Sequence, residues 1–196
     1  MACTTEAVER RAGHSRLRIA LILCAIMLCA AFFTCAGNSE DAYAGDYLLK
    51  VNRQENVVTA YAKDSNGNYT VPVRAMLCIT GENNATPLGT YHIGPQYRWK
   101  IMIGGVWSQY ASRFNGDILL HSITYYDAYD KSTMKVERWN RLGTQMSLGC
   151  VNLACVDAKW IYYNCDPGTT VIVYASSNPG PLGKPRRAPI YEARPN

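Results

Sequence analysis

Between Tyr47 and Ile79 three runs, YLLKVNRQ, VVTAYAKD and NYTVPVRAMLCIT, are rich in β-branched and aromatic residues and are separated by turn-formers. Such residues suit a pleated, half-buried surface, so this part of the chain is committed to sheet. The sharpest break is DSNGN at 64–68, whose Asn66-Gly67 supplies positive φ and predicts a type I′ hairpin turn. Residues 47–79 therefore read as a small antiparallel meander.

The strand signals continue downstream. A Gly/Asn/Pro-rich loop, GENNATPLGTYHIG (81–94), leads into a short strand at Thr90–Ile93, YRWKIMIGGVW (97–107) alternates, and DILLHSI (117–123) is an apolar run that delivers His121 at its end. Residues 124–146 are polar and irregular, too long for a simple connection, and predict a lid or binding surface. Val156–Asn164 has helix-forming content with Asp157 near its start and Asp166-Pro167-Gly168 as its stop, and TTVIVYA (169–175) is a last strand. The sum is a mainly β domain over 46–175 with one short helix, large enough to bury a core without disulfides.

The ends are different in kind. Arg10, Arg11, Arg16 and Arg18 precede Ile19–Ala36, an uncharged apolar stretch, which is the architecture of an export segment over residues 1–44. AYA at 42–44 offers a cleavage site, and the apolar stretch is also near the shortest length that spans a bilayer, so a cleaved signal peptide and a retained membrane anchor both fit. Either predicts an extracytoplasmic domain, at the cell wall or anchored facing outward. Residues 176–196 are Pro/Gly/Arg-rich, with nothing evident to bury, and read as a disordered tail. From residue 45 onward the chain carries 16 Lys/Arg against 11 Asp/Glu, much of the excess in that tail. The body's small remainder gives no reason to expect a nucleic-acid partner.

Four cysteines, Cys78, Cys150, Cys155 and Cys165, belong to the exported part. Helical spacing would put Cys155 and Cys165 about 15 Å apart, beyond a disulfide's Cα reach of about 7 Å. No CxxC pair exists and His92 and His121 are scattered, so no metal site is predicted. Cys150 stands out within SLGCVN (147–152). Gly149 permits a sharp bend beside it, a predicted helix start follows and favours a thiolate, and His121 is available upstream to take the thiol proton. Against this stands the frequency with which free cysteines are simply buried. On the residues alone, catalysis and packing stay level.

SLGCVN resembles the signature of the L,D-transpeptidase (YkuD) family through Ser147, Gly149, Cys150, Val151 and Asn152. Thr86, Pro87, Gly89, Thr90 and Tyr91 match a second family motif, LHS (120–122) is similar to the family's histidine strand end, and 157–174 is similar to its closing helix and strand. The resemblance spans essentially all of 47–175 and implies a β-sandwich-like catalytic fold with one short helix after the cysteine. Two departures are visible. Leu148 stands where the family usually has histidine, and 25 residues separate His121 from Ser147, longer than usual.

By resemblance, the domain would act on peptidoglycan stem peptides without a cofactor, with Cys150 as nucleophile and His121 as base. A thioester intermediate would pass to an amine, forming a 3→3 cross-link, or to water, releasing terminal D-alanine. The Ser122 carbonyl would orient His121, Gly149 and Cys150 N–H groups would hold the oxyanion, and Ser147 would support the turn. Asn152 is expected to hold the loop or touch substrate, and Tyr125, Tyr126, Trp139 and Asn140 are expected from the long interval as substrate contacts. A papain-like protease fits less well, since there the cysteine precedes the histidine in the chain. A wall-binding protein that kept the fold and lost turnover, and a housekeeping β-domain with structural cysteines, are the rival readings.

Overall fold

The structure is a computed structural model that describes residues 46–187. The expected export segment 1–44 and residues 188–196 of the tail lie outside the described residues. Strands β1 (Tyr47–Asn52), β2 (Val57–Lys63) and β3 (Tyr69–Gly81) pair antiparallel in chain order, forming the meander. The hairpin between β2 and β3 differs from the type I′ turn. Gly67 alone of its central residues has positive φ (82°), its N–H donates to the Asp64 carbonyl at 3.0 Å, and Asp64 Oδ1 accepts from the Asn66 and Asn68 amides at 2.9 Å each. The aspartate side chain organises a longer turn, so Asn66 is not forced into the left-handed region.

Four further strands follow: β4 (Gly89–His92), β5 (Gln96–Met102), β6 (Val106–Asn115) and β7 (Ile118–Ser122). Then come a short helix α1 (Val136–Trp139), β8 (Gln145–Ser147), β9 (Val151–Leu153), helix α2 (Cys155–Asn164) and β10 (Thr170–Tyr174). All ten strands join one curled sheet in the order β4-β10-β1-β2-β3-β9-β7-β6-β5, with β8 beside the end of β3. The domain is mainly β, and its one substantial helix follows the SLGCVN loop.

The core is the sheet's inner face. Leu49, Val51, Val58, Met76, Leu120, Val151 and Leu153 are buried together, and α2 closes over them with Ala158 and Ile161. Asp157 in the first turn of α2 pairs with Arg74 of β3 at 2.7 Å, tying the helix to the sheet. Cys78, Cys150, Cys155 and Cys165 are all free thiols.

Two stretches differ from their sequence reading. Strands β7 and β9 are parallel, a pairing that needs a crossover of a dozen or more residues, and 124–146 is that crossover. It is a packed segment rather than a free lid: Tyr125, Met134, Trp139 and Leu142 bury against Leu77, Ile79 and Ile123 as a second apolar cluster. The described part of the tail, 176–187, is also held in place. Asn52 Nδ2 donates to the Ser176 and Asn178 carbonyls at 2.9 Å, Lys184 reaches Glu55 at 3.4 Å, and Arg187 donates to the Asn140 carbonyl. Buried Asn52 needs partners for its amide, and the tail backbone supplies them.

Candidate active site

Backbone pairing brings the two chemistry-bearing residues together. On the parallel β7–β9 ladder Leu120 lies opposite Val151 and His121 opposite Asn152, so Cys150, one residue before β9, opens into the same cleft as His121. The cleft has a volume of about 450 Å³ and is lined also by Ser147, Leu148, Asn152 and the tip of the β5–β6 hairpin.

His121 is 2% exposed, and its Nδ1 lies 2.6 Å from the Ser122 carbonyl oxygen. That carbonyl can only accept, so the proton sits on Nδ1 and Nε2 carries the lone pair. The Asn152 side-chain amide donates to Nε2 at 3.2 Å and to the Cys150 carbonyl at 3.4 Å. Burial pushes the imidazole down to about 4, against the opposing pull of the Ser122 hydrogen bond and with a smaller push from the Arg138 charge. His121 is therefore neutral at pH 7.

The thiol is also neutral. Burial raises the Cys150 pKa, partly offset by the Leu119 backbone hydrogen bond and the Arg113 charge, and Sγ lies 3.8 Å from the Asp117 carbonyl oxygen. The expected helix start does not follow Cys150 directly: β9 lies between Cys150 and α2. A neutral thiol and a neutral imidazole therefore share the cleft, with no preformed ion pair.

The loop that carries Cys150 is braced from within and from the TPLGTY motif. Ser147 Oγ donates to the Cys150 carbonyl at 2.6 Å and accepts from the Gly149 N–H at 3.1 Å. Gly149 has φ +134°, and a Cβ there would sit 3.2 Å from the Ala85 carbonyl oxygen, so both conformation and space require glycine. Buried Thr86 completes the brace: its hydroxyl donates to the Gly149 carbonyl at 2.8 Å and accepts from the Gly81 N–H at 2.8 Å. Two distant motifs are thereby one structure.

Residues 46–173 match the YkuD family model, the L,D-transpeptidase catalytic domain. The chain belongs to the YkuD family. Over 119 residues this L,D-transpeptidase domain is 34% identical to YciB of Bacillus subtilis strain 168, named as a candidate L,D-transpeptidase, a match covering 58% of this chain and 59% of that one. An L,D-transpeptidase from Mycobacterium smegmatis superposes with a TM-score of 0.54 at 20% identity, over 66% of this chain and 59% of that one. The L,D-transpeptidase LdtMt1, solved in complex with imipenem, gives 0.51 at 19% identity over the same shares. These likenesses establish the fold, and the chain spans 59% of the length of each relative.

Within this L,D-transpeptidase domain several of the expected substrate contacts lie away from the cleft or are already engaged. Tyr125 is fully buried and Trp139 is 5% exposed, both inside the second apolar cluster, and exposed Asn140 lies off the cleft lining. Aromatic side chains in the long interval fold inward because that segment needs a core of its own. Tyr126 is exposed and sits against the Lys135 ammonium, 4.5 Å from ring centroid to Nζ. Asn152 reaches the cleft wall, but its amide is spent on His121 and Cys150. The Gly149 N–H, expected to face an oxyanion, is occupied by Ser147 Oγ. Ser122 is fully buried, its hydroxyl accepting from the Gln109 N–H and donating to the Ile123 carbonyl, both at 2.8 Å.

What the sequence reading missed are the cations. Lys135 and Arg138 of the crossover line the cleft with Lys100 and Arg113. No sequence signal marks a lysine or arginine in an irregular segment as facing inward. Leu148, at the family's usual histidine position, is 82% exposed on the rim.

Proposed function

We propose that this domain is a cysteine-dependent acyltransferase acting on peptidoglycan stem peptides outside the cytoplasm. The observation that carries the reading is the register of β7 and β9, which gives Cys150 and a correctly tautomerised His121 a common cleft. Substrate entry turns the Nε2 lone pair from the Asn152 amide to the thiol. Nε2 takes the proton as sulfur attacks the carbonyl carbon of the diamino acid at stem position three. The Cys150 N–H is the donor assigned to the resulting oxyanion, since the Gly149 N–H is engaged. The C–N bond to the terminal D-alanine then breaks, its nitrogen takes the proton from Nε2, and a thioester remains.

In the second half, an amine of a neighbouring stem attacks the thioester carbon, His121 takes its proton, and the thiolate departs to be reprotonated. The product is a 3→3 cross-link; with water as acceptor it is a shortened stem. The neutral resting pair fits a nucleophile unmasked only by substrate, which protects it from wasteful reaction in an oxidising compartment.

The test uses intact-mass measurement and muropeptide analysis. Incubation with a carbapenem should add one drug mass to the protein and none to Cys150→Ala, and incubation with tetrapeptide stems should give cross-linked or D-alanine-free products that fall about 10⁴-fold or more in the variant. No adduct together with unchanged muropeptides would sink the enzyme reading. Exposed Leu148 in place of an imidazole favours one rival, a wall-binding protein without turnover, which would then still sediment with peptidoglycan.

A further inference from the structure

Four cations line the cleft that holds Cys150, and three of them have a carboxylate or an aromatic ring beside them. Arg113 Nη1 is 2.7 Å from Asp117 Oδ1. Lys135 Nζ lies 3.9 Å from Glu137 Oε1 and over the Tyr126 ring, and Lys100 lies 4.8 Å from the Tyr97 ring centroid. Arg138 is different. Among the described residues it has neither a carboxylate nor a ring, and its guanidinium makes a single long hydrogen bond, Nη1 to the Met146 carbonyl at 3.4 Å. The remaining guanidinium donors have no protein partner among the described residues, although the side chain is part-buried.

Its placement is firm. Arg138 sits in α1 directly before Trp139, whose indole anchors the crossover in the second apolar cluster. Arg138 lines the same cleft as Cys150 and His121, and its charge helps keep the imidazole unprotonated. The loop around Cys150 offers no cation of its own, since its rim residue is Leu148.

We propose that Arg138 is the carboxylate receptor of this cleft, pairing with the free α-carboxylate of the donor's terminal D-residue and so directing the domain to peptide ends rather than internal bonds. This rests on the stem-peptide reading above. In such a donor only the amide nitrogen and one Cα separate the attacked carbon from the terminal carboxylate, so its receptor must share the cleft with Cys150. A part-buried guanidinium without a protein counter-ion matches a planar carboxylate by two parallel N–H donors, which a lysine ammonium cannot reproduce.

The experiment uses the full chain and synthetic stem tetrapeptides, with meso-diaminopimelate or L-lysine at position three, each as the free acid and as the C-terminal amide. Turnover is read in the parent, and binding is read by calorimetry in the Cys150→Ala background. Amidation should weaken binding and raise KM by about tenfold or more, and Arg138→Gln should do the same to the acid while leaving kcat within about threefold and the amide unaffected. Arg138→Lys should recover part of the loss. Equal binding of acid and amide, or an Arg138→Gln loss that is the same for both, overturns the proposal. Arg138-dependent binding without turnover would support the receptor and remove the enzyme. Turnover indifferent to Arg138 would do the reverse, and neither binding nor turnover would overturn both.

Discussion

The cleft is lined by two parts of the chain that are built in opposite ways. The segment bearing His121 and Cys150 is set mainly by backbone: β7 and β9 pair with each other, β9 pairs with β3 and β7 with β6, and the Ser147 and Thr86 hydroxyls brace the turn that ends in Cys150. The crossover bearing Lys135 and Arg138 joins the sheet only at its end through β8; before that it has the isolated bridges Trp107 to Tyr125 and Tyr125 to Met134, scattered backbone hydrogen bonds such as Gly143 N–H to the Cys78 carbonyl at 2.9 Å, and a handful of inward-facing side chains. The first part should tolerate side-chain change away from Ser147, Thr86 and Gly149 as long as the ladder survives. The second should loosen when one anchor is removed, leaving the reactive pair in place. The proposed chemistry would thus rest on the rigid part and the proposed carboxylate receptor on the adaptable one.

Truncating the anchor is the strongest way to break that contrast. Trp139→Ala empties a nearly fully buried site in the smaller cluster and should cost about 3–5 kcal/mol, read by denaturant unfolding. Below the unfolding midpoint, carbapenem acylation of Cys150 should continue at a rate close to the parent's, while KM for free-acid stem peptides rises as Arg138 loses its support. If acylation collapses along with peptide affinity, the two parts are one unit and the contrast is wrong.

A slightly smaller effect probes the rigid part through pH. His121 has an ordinary pKa of 6.5 and is lowered to about 4 in the fold, so as pH falls through 6.5 the unfolded chain takes up a proton that the folded chain refuses. Stability should decline between about pH 6.5 and about pH 4, by about 3 kcal/mol in all, and level off below. Subtracting the curve of His121→Gln isolates this from the carboxylates, and the difference should stop changing above about pH 7. A flat difference curve would mean that the imidazole is solvated, and that the resting pair is not the neutral one described.

The same contrast explains what was readable in the sequence. The meander, the strand delivering His121 and the SLGCVN loop follow local rules of alternation, turn chemistry and glycine geometry, so they were legible. Thr86 was visible as a motif match, but its role was not, because its bonds to Gly149 and Gly81 join segments far apart in the chain. The crossover was misread because 124–146 looks polar overall. Its four buried apolar side chains follow no period, and only the fold shows that Tyr125 and Trp139 point inward while Arg138 faces the cleft. At Asn66-Gly67 a strong dipeptide signal was overridden by Asp64, whose carboxylate reaches two amides.

The smallest expected effect bears on the departure that the loop itself presents. Leu148 is 82% exposed, so Leu148→His should change stability by no more than about 0.5 kcal/mol. An imidazole at that exposed position should titrate near its ordinary range of about 6.5. Two outcomes separate the possible uses of that position. If the family's usual histidine assists by charge, the variant's pH–rate profile should gain an inflection between about pH 6 and 7 that the parent lacks, since the parent's His121 titrates far lower. If Arg138 already supplies a permanent charge there, the profile should keep the parent's shape, and the inflection should emerge only in the Arg138→Gln, Leu148→His double variant. An inflection in the single variant that Arg138→Gln leaves unaltered would show that loop and crossover act independently, and that the cation of one does not substitute for the missing ring of the other.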